Sequence, residues 1–295
     1  MNNILVIGSL NTDLETSVDH FPETGETLIG GPLQIHCGGK GNNQAIAAAK
    51  LGASVTILGA IGNDHFGQLL IENLKKYHVN ITPIKTCKQS PTATALIMHT
   101  NTDNTIIVTE GANESLSAQD ILNAESLIKS HDIILLQQEI PLETQIEAIE
   151  IAYRLKKIIV VNPAPSRQLP ADIIPKISYL LPNEHEIKAF RHNGSETYED
   201  IILHSSTPII MTWGRSGILF KNKEKQIQHI PAYTVPTVDT TGAGDTFCGA
   251  FCCFLHLGYE KAIEKALQAS ALSVTRTGAQ NGMPTLKELT AFQFH

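Results

Sequence analysis

Short, unbroken apolar runs alternate with segments of helical periodicity along most of this 295-residue chain. That alternation constrains the fold more than any other feature. Residues 3–8 carry Ile4, Leu5, Val6 and Ile7 in one run ending in Gly8, the pattern of a parallel strand buried on both faces. Helical spacing follows at 43–51, with Gly52 as its stop signal. A strand is expected at 55–58 and a helix at 66–77. The alternation resumes with a helix at 118–129, a strand at 133–136, a helix at 144–155 and a strand at 158–161. Further strands are expected at 179–181, 209–212, 218–220 and 226–230, and helices at 246–256, 261–275 and 286–292. The expected class is α/β, a mostly parallel, doubly wound sheet flanked by helices.

Two stretches break the rhythm. Residues 11–36 hold alternating and turn residues without a helix, and residues 92–109 read as two strands about a polar turn at 101–104. Both lie between βα units and are placed to pair as a small inserted sheet. The expected division is a core of residues 1–10, 38–91 and 110–295, with a β-lid of residues 11–37 and 92–109. Such a sheet needs an apolar face that covers a site or meets a partner subunit.

Composition excludes some partners. With 29 acidic against 22 basic side chains the net charge is −7, which disfavours nucleic acid or an anionic membrane as a partner. No apolar run reaches the length of a membrane span. The first residues pass directly into a strand, so a cytoplasmic location is expected. The cysteines Cys37, Cys87, Cys248, Cys252 and Cys253 form no C-x-x-C pair and are expected to be reduced thiols. The sequons at Asn113 and Asn193 are read as chance matches. His36 beside Cys37 and His185 beside Glu186 are read as structural, because the 12 histidines make no metal-ligand spacing.

Four clusters carry chemistry. In Asp239-Thr240-Thr241-Gly242-Ala243-Gly244-Asp245, small residues precede a helical segment and bear an acid at the junction. A helix N-terminus stripped of side chains offers unpaired N–H groups and partial positive charge to a phosphate. Asp245 would repel that phosphate, so its use is to act on a neighbouring group, such as a hydroxyl about to be phosphorylated. Gly38-Gly39-Lys40-Gly41-Asn42-Asn43-Gln44 enters the helix at 43–51 without Walker A or dinucleotide spacing. It reads equally as a tight loop or as a polyol site. Asn11 and Asp13 follow the first strand, two apart in extended chain. They suit vicinal hydroxyls, or an Asx turn. Asn183-Glu184-His185-Glu186 begins another helix, where Glu186 serves either as an N-terminal acid or as a holder of Mg²⁺ and its waters.

These runs, in this order and at these separations, resemble the ribokinase (PfkB) family of sugar kinases over residues 4–280. The resemblance implies the family's fold and an ATP-dependent phosphorylation of D-ribose at O5. It makes Asp245 the catalytic base and the amides of Gly242, Ala243 and Gly244 an anion hole. Asn11, Asp13, Gly39, Lys40, Gly41, Asn43 and Glu139 fall at sugar-binding positions. Asn183, Thr212, Gly214, Arg215, Ser216 and Gly217, with Gly244, fall at nucleotide-binding positions, and Glu186 at the magnesium-associated acid. Asp239, Thr241, Ser273, Arg276, Gly278 and Gly282 match the site of an activating K⁺. A homodimer through the lid is implied as well. The chain departs from the family at Gly282, where many members carry a serine, at Leu267, where an Asn or His is usual, and at Trp213 and Arg215. Kinases of deoxyribose, fructose or a nucleoside share the scaffold, and a non-catalytic sugar sensor is the reading from another class. Retention of Asp245, Glu186 and the glycines weighs against the sensor.

Overall fold

A computed structural model describes residues 2–100, 102–191 and 194–293. Asn193, and Asn101 of the expected turn, lie outside the described residues. Strand β1 (Asn3–Ile7) leads to β2 (Asn11–Ser17), β3 (Gln34–Gly38) and helix α1 (Lys40–Lys50). Next come β4 (Ser54–Leu58), β5 (Ala60–Gly62), α2 (His65–Lys76), β6 (Lys85–Cys87), β7 (Ala93–His99) and β8 (Asn104–Thr109). The middle of the chain holds α3 (Ala118–Asn123), α4 (Glu125–Ser130), β9 (Ile133–Gln137), α5 (Leu142–Arg154), β10 (Ile158–Asn162), β11 (Tyr179–Leu180) and α6 (Tyr198–His204). The last part contains β12 (Ile210–Thr212), β13 (Ile218–Lys221), β14 (Ile227–Ile230), α7 (Ala243–Phe254), α8 (Tyr259–Ser273), α9 (Ala279–Gly282) and α10 (Leu286–Ala291).

The central sheet has the order β11-β10-β9-β1-β4 and is parallel throughout. Its strands alternate between two cores, as a period of two requires. Ile4, Val6, Ile133 and Leu135 pack with α1, α2, α7 and α8. Leu5, Ile7, Ile134 and Leu136 pack with α3 and α5 on the other face. Burial on both faces is why these strands read as unbroken apolar runs.

Three expectations need correction. Residues 209–230 do not extend the parallel sheet; β12, β13 and β14 form an antiparallel sheet of their own, joined to the central one by single bridges Leu180–Ile209 and Asn183–Thr212. The helix expected at 118–129 is two helices broken at Ala124, where φ is −94° and ψ is 10°. The helix expected from Asn183 is a 3-10 turn, Glu186–Phe190.

Outside the central sheet stands a four-stranded sheet of order β3-β2-β7-β8. Its middle pair, β2 and β7, is parallel and its outer pairs antiparallel. Cys87, Cys248, Cys252 and Cys253 are buried and Cys37 half-buried, all as free thiols. Asn113 is enclosed, donating from Nδ2 to Asn11 Oδ1 and accepting from the Leu10 amide. No helix among the described residues is long and apolar enough to cross a membrane.

Helices α1 and α7 approach closely at Gly249. A Cβ there would meet Gln44 O at 2.6 Å and Ala47 Cβ at 2.8 Å. Alanine is favoured over glycine inside a helix by about 1 kcal/mol, yet overpacking costs roughly 1–3 kcal/mol. Gly249→Ala is therefore expected to lower the urea midpoint; a midpoint equal to or above wild type would contradict this packing.

Candidate active site

Site residues gather beyond the carboxyl ends of the parallel strands. The strand order changes direction at β1, with β4 on one side and β9 on the other, and a crevice opens at such a point in open α/β sheets. Ser9, Asn11 and Asp13 follow or begin after β1, Glu139 follows β9, and Asn183 and Glu186 follow β11. The first turns of α1 and α7 enter the same crevice.

Helix α1 begins at Lys40 with no side-chain cap of its own. Glu139 takes that role from across the crevice. Its Oε2 accepts from the Lys40 amide at 2.9 Å and from Ser9 Oγ, which in turn accepts from the Gly41 amide. The N-cap Gly39 has φ +88°, and a Cβ there would lie 2.8 Å from the Asn11 amide nitrogen. Only glycine fits that corner. Asn11 is itself oriented by Asn113, which donates to its Oδ1 at 2.7 Å.

Helix α7 also starts bare. Its N-cap Gly242 is left-handed, with φ +76°, and a Cβ would meet Ala279 Cβ at 2.8 Å. The Ala243 amide turns back to Thr240 O at 3.2 Å. Space over Gly244 is open. Asp245 is the third residue of the helix, in its first turn, where the helix field favours a carboxylate. It is 9% exposed. Gln44 Nε2 donates to its Oδ1 and Asn43 Nδ2 to its Oδ2, each at 3.0 Å.

Charge in the crevice is mostly negative. Burial works against the Lys40 ammonium, but Asp245, Glu139 and Glu186 outweigh it and hold Lys40 above the ordinary lysine value. Burial pushes Asp13 up to about 7, with Glu139, Glu15 and Asp245 adding to it. Glu186 is also raised, chiefly by burial, although the Asn183 amide and Nδ2 each donate to it at 2.9 Å.

Two cavities meet over the first turn of α7. The smaller, about 210 Å³, is lined by Lys40, Asn183, Glu186, Gly242, Ala243, Gly244 and Asp245, and also by Asn162 and Cys248. The larger, about 480 Å³, runs past Thr212, Gly214, Arg215 and Gly217 to Tyr233, Phe247 and Leu267. Asn183, Thr212, Ala243 and Gly244 line both. Ser216 stands apart, its carbonyl accepting from His229 Nε2 at 2.6 Å.

The remaining six predicted residues lie together behind α7. Asp239 accepts from the Thr241 amide at 2.8 Å and the Gly278 amide at 2.7 Å. Burial acts to raise its carboxyl, but these hydrogen bonds hold it below the ordinary value. The Gly282 amide donates to Gly278 O. A Cβ on Gly282 would lie 2.4 Å from Ser273 O and 3.6 Å from Arg276 O, so a side chain would fill the space these carbonyls face. The Arg276 guanidinium is drawn off to Glu288. An oxygen-only donor set suits a hard cation. Among the described residues no group of three His, Cys, Asp or Glu side chains is placed to hold a metal.

Sequence reasoning missed a layer of buried amides. It contains Gln44, Gln137, Asn162 and Asn113, with the buried hydroxyl of Ser9 and the half-buried amide of Gln280 beside it. Gln280 Nε2 donates to Cys37 O at 2.8 Å and Asn43 Oδ1 at 2.9 Å, linking α9 to β3 and α1. A signal was available: Gln137 and Asn162 each end an apolar strand run at its carboxyl end.

Comparison with known proteins gives the family and the fold. Residues 1–286 match the pfkB family carbohydrate kinase model. The ribokinase of Bacillus subtilis is 40% identical over 291 residues, covering 98% of each chain. A deoxyribokinase of Salmonella typhi is 36% identical over 305 residues, again covering 98% of each. The structure of Arabidopsis thaliana ribokinase complexed with ribose and ATP superposes with a TM-score of 0.89 at 27% identity, covering 99% of each chain. The chain belongs to the pfkB family of carbohydrate kinases and is an ATP-dependent sugar kinase with the ribokinase fold.

The Asp13 shift makes the sugar-binding role expected of that residue testable. An acid raised to about 7 is protonated below that pH and becomes a hydroxyl acceptor above it. Sugar affinity measured by calorimetry is expected to rise between about pH 6 and about pH 8, and to lose that step in Asp13→Asn. A flat wild-type profile would contradict the assignment.

Proposed function

We propose that this kinase transfers the γ-phosphoryl group of ATP to O5 of D-ribose, giving D-ribose 5-phosphate and ADP, the first step of ribose catabolism. The observation that carries the reading is Asp245, a buried carboxylate in the first turn of a bare helix, on the same side as a cluster of sugar-suited polar groups. Asn11, Asp13, Gly39, Lys40, Gly41, Asn43 and Glu139 supply donors and acceptors for the ribose hydroxyls. The O5 oxygen bonds to the γ-phosphorus as the bond to the β-phosphate oxygen breaks. Carboxylates as a class are weak bases toward a free alcohol, so Asp245 takes the O5 proton late, once that oxygen is bonding. The amides of Gly242 and Gly244 and the dipole of the α7 N-terminus stabilise the transferring group, the main requirement of phosphoryl transfer, while the Ala243 amide is spent on Thr240 O.

The larger cavity takes the nucleotide, with Thr212, Gly214, Arg215, Gly217 and Leu267 along its walls. Glu186 would hold Mg²⁺ through water, and magnesium when bound neutralises charge on the phosphate oxygens. Asp239, Thr241, Ser273, Arg276, Gly278 and Gly282 would hold K⁺, which when bound adds positive field beneath the α7 N-terminus. Residues 11–37 and 92–109 act as the lid over the sugar. Its β8 exposes Ile106, Ile107 and Val108, and β7 exposes Leu96, which supports a homodimer through the lid. The enzyme works in the cytoplasm.

A second reading, phosphorylation of deoxyribose, is favoured by the Salmonella typhi relative. The pair Asn11 and Asp13 argues for ribose, whose 2-hydroxyl gives both side chains a partner. ADP release measured with ribose, deoxyribose, fructose and adenosine, each with and without potassium, tests the reading. Ribose with potassium is expected to give the highest kcat/KM, and no stimulation by any sugar would end it. Asp245→Asn is expected to keep sugar binding while turnover falls by about 10²- to 10⁴-fold.

A further inference from the structure

We infer that Gln44 is a positioning residue for this kinase, holding the plane of the Asp245 carboxylate through a buried relay of amides. The inference deepens the proposed function and rests on its assignment of Asp245 as base. Gln44 lies on α1 and is fully buried. A primary amide is placed in such surroundings at a loss unless its donors and acceptor are satisfied. Here all are used. Nε2 donates to Asp245 Oδ1 and to Asn162 Oδ1, each at 3.0 Å, while Oε1 accepts from Gln137 Nε2 at 2.7 Å.

The direction of the relay is dictated by its ends. Asn162 spends its Nδ2 on Leu181 O at 2.8 Å, so it presents an oxygen to Gln44. A flipped Gln44 would place its own oxygen against that oxygen and against the Asp245 carboxylate. Gln137 presents its nitrogen, and its Oε1 is left without a partner. The relay thus ties the ends of β9 and β10 to α1 and, through α1, to the catalytic turn of α7. Asn43, the preceding residue, holds the other carboxylate oxygen. Lys40, Asp13, Glu186 and Cys248 are the titratable groups around Asp245, and they act on it through space. Both direct donors are neutral. They fix the carboxylate without supplying a proton that would quench it, and each oxygen keeps a lone pair for a hydroxyl.

Gln44→Met keeps the length of the side chain and removes both donors. Its expected kcat is about tenfold to about a hundredfold below wild type, with KM for ribose within about threefold. The acidic limb of its pH–kcat profile is expected to move up by about one pH unit, because the ionised form has lost a hydrogen bond. A kcat near wild type, or a loss of kcat with the limb unmoved, would overturn the inference. Should this variant fail to fold, Gln137→Met carries the test, since it unpins Gln44 and leaves both direct donors to Asp245 in place. A several-fold loss of kcat with a smaller limb shift is then expected, and wild-type behaviour overturns it. Asp245→Asn measured alongside separates the two claims. Near-wild-type turnover there removes the base assignment itself, whereas an inactive Asp245→Asn beside a wild-type-like Gln44→Met removes only the role of Gln44.

Discussion

The buried Asp245 carboxylate, gripped by neutral amides of α1, is the interaction on which the rest of the site depends. An ionised carboxylate withdrawn from water is costly unless hydrogen bonds and field replace its hydration. Asn43 and Gln44 supply the hydrogen bonds. The first turn of α7 and the ammonium of Lys40 supply the field. For both to act at once, α1 and α7 must lie close together, and Gly249 removes the side chain that would hold them apart. Packing, electrostatics and chemistry therefore meet at one helix contact.

The same contact connects the outer parts of the molecule. Gln280, close to Asp239 and the Ser273 and Arg276 carbonyls, bonds to Asn43 and to the backbone of Cys37 in the four-stranded sheet. Asn73 of α2 donates to its Oε1 at 2.7 Å. A disturbance behind α7 thus has a short hydrogen-bonded route, through Asn43, to Asp245. On the four-stranded sheet, Glu15 lies between His36 and His99, one on each neighbouring strand, and it contributes to the raised value of Asp13.

Much of this was legible in the chain. The central strands could be read because burial on both faces removes polar residues from them, leaving runs such as Ile4 to Ile7. Helices α1 and α7 were located but started three residues late, at 43 rather than Lys40 and at 246 rather than Ala243. Their first turns consist largely of glycine and small polar residues, which carry no apolar periodicity, and that same bareness lets the backbone face a ligand. The break at Ala124 was invisible because no glycine or proline marks it. Residues 209–230 look like more strands of the main sheet because apolar runs do not reveal pairing direction. Within the site, the glycine runs and acids could be found from sequence and resemblance. The roles of the amides were harder to read: Gln137 and Asn162 each close an apolar run and look like the plain end of a strand, and Gln44 sits in a glycine-rich helix start where nothing in the chain points to its partners.

The central claim is that the hydroxyl beside Asp245 receives the phosphoryl group. Phosphorus NMR of the product formed from ribose and ATP tests it directly, through coupling of phosphorus to the sugar protons. Transfer to O5 predicts splitting by the two protons on the fifth carbon. Splitting by a single proton on the first carbon, or no phosphorylated sugar at all, would contradict it.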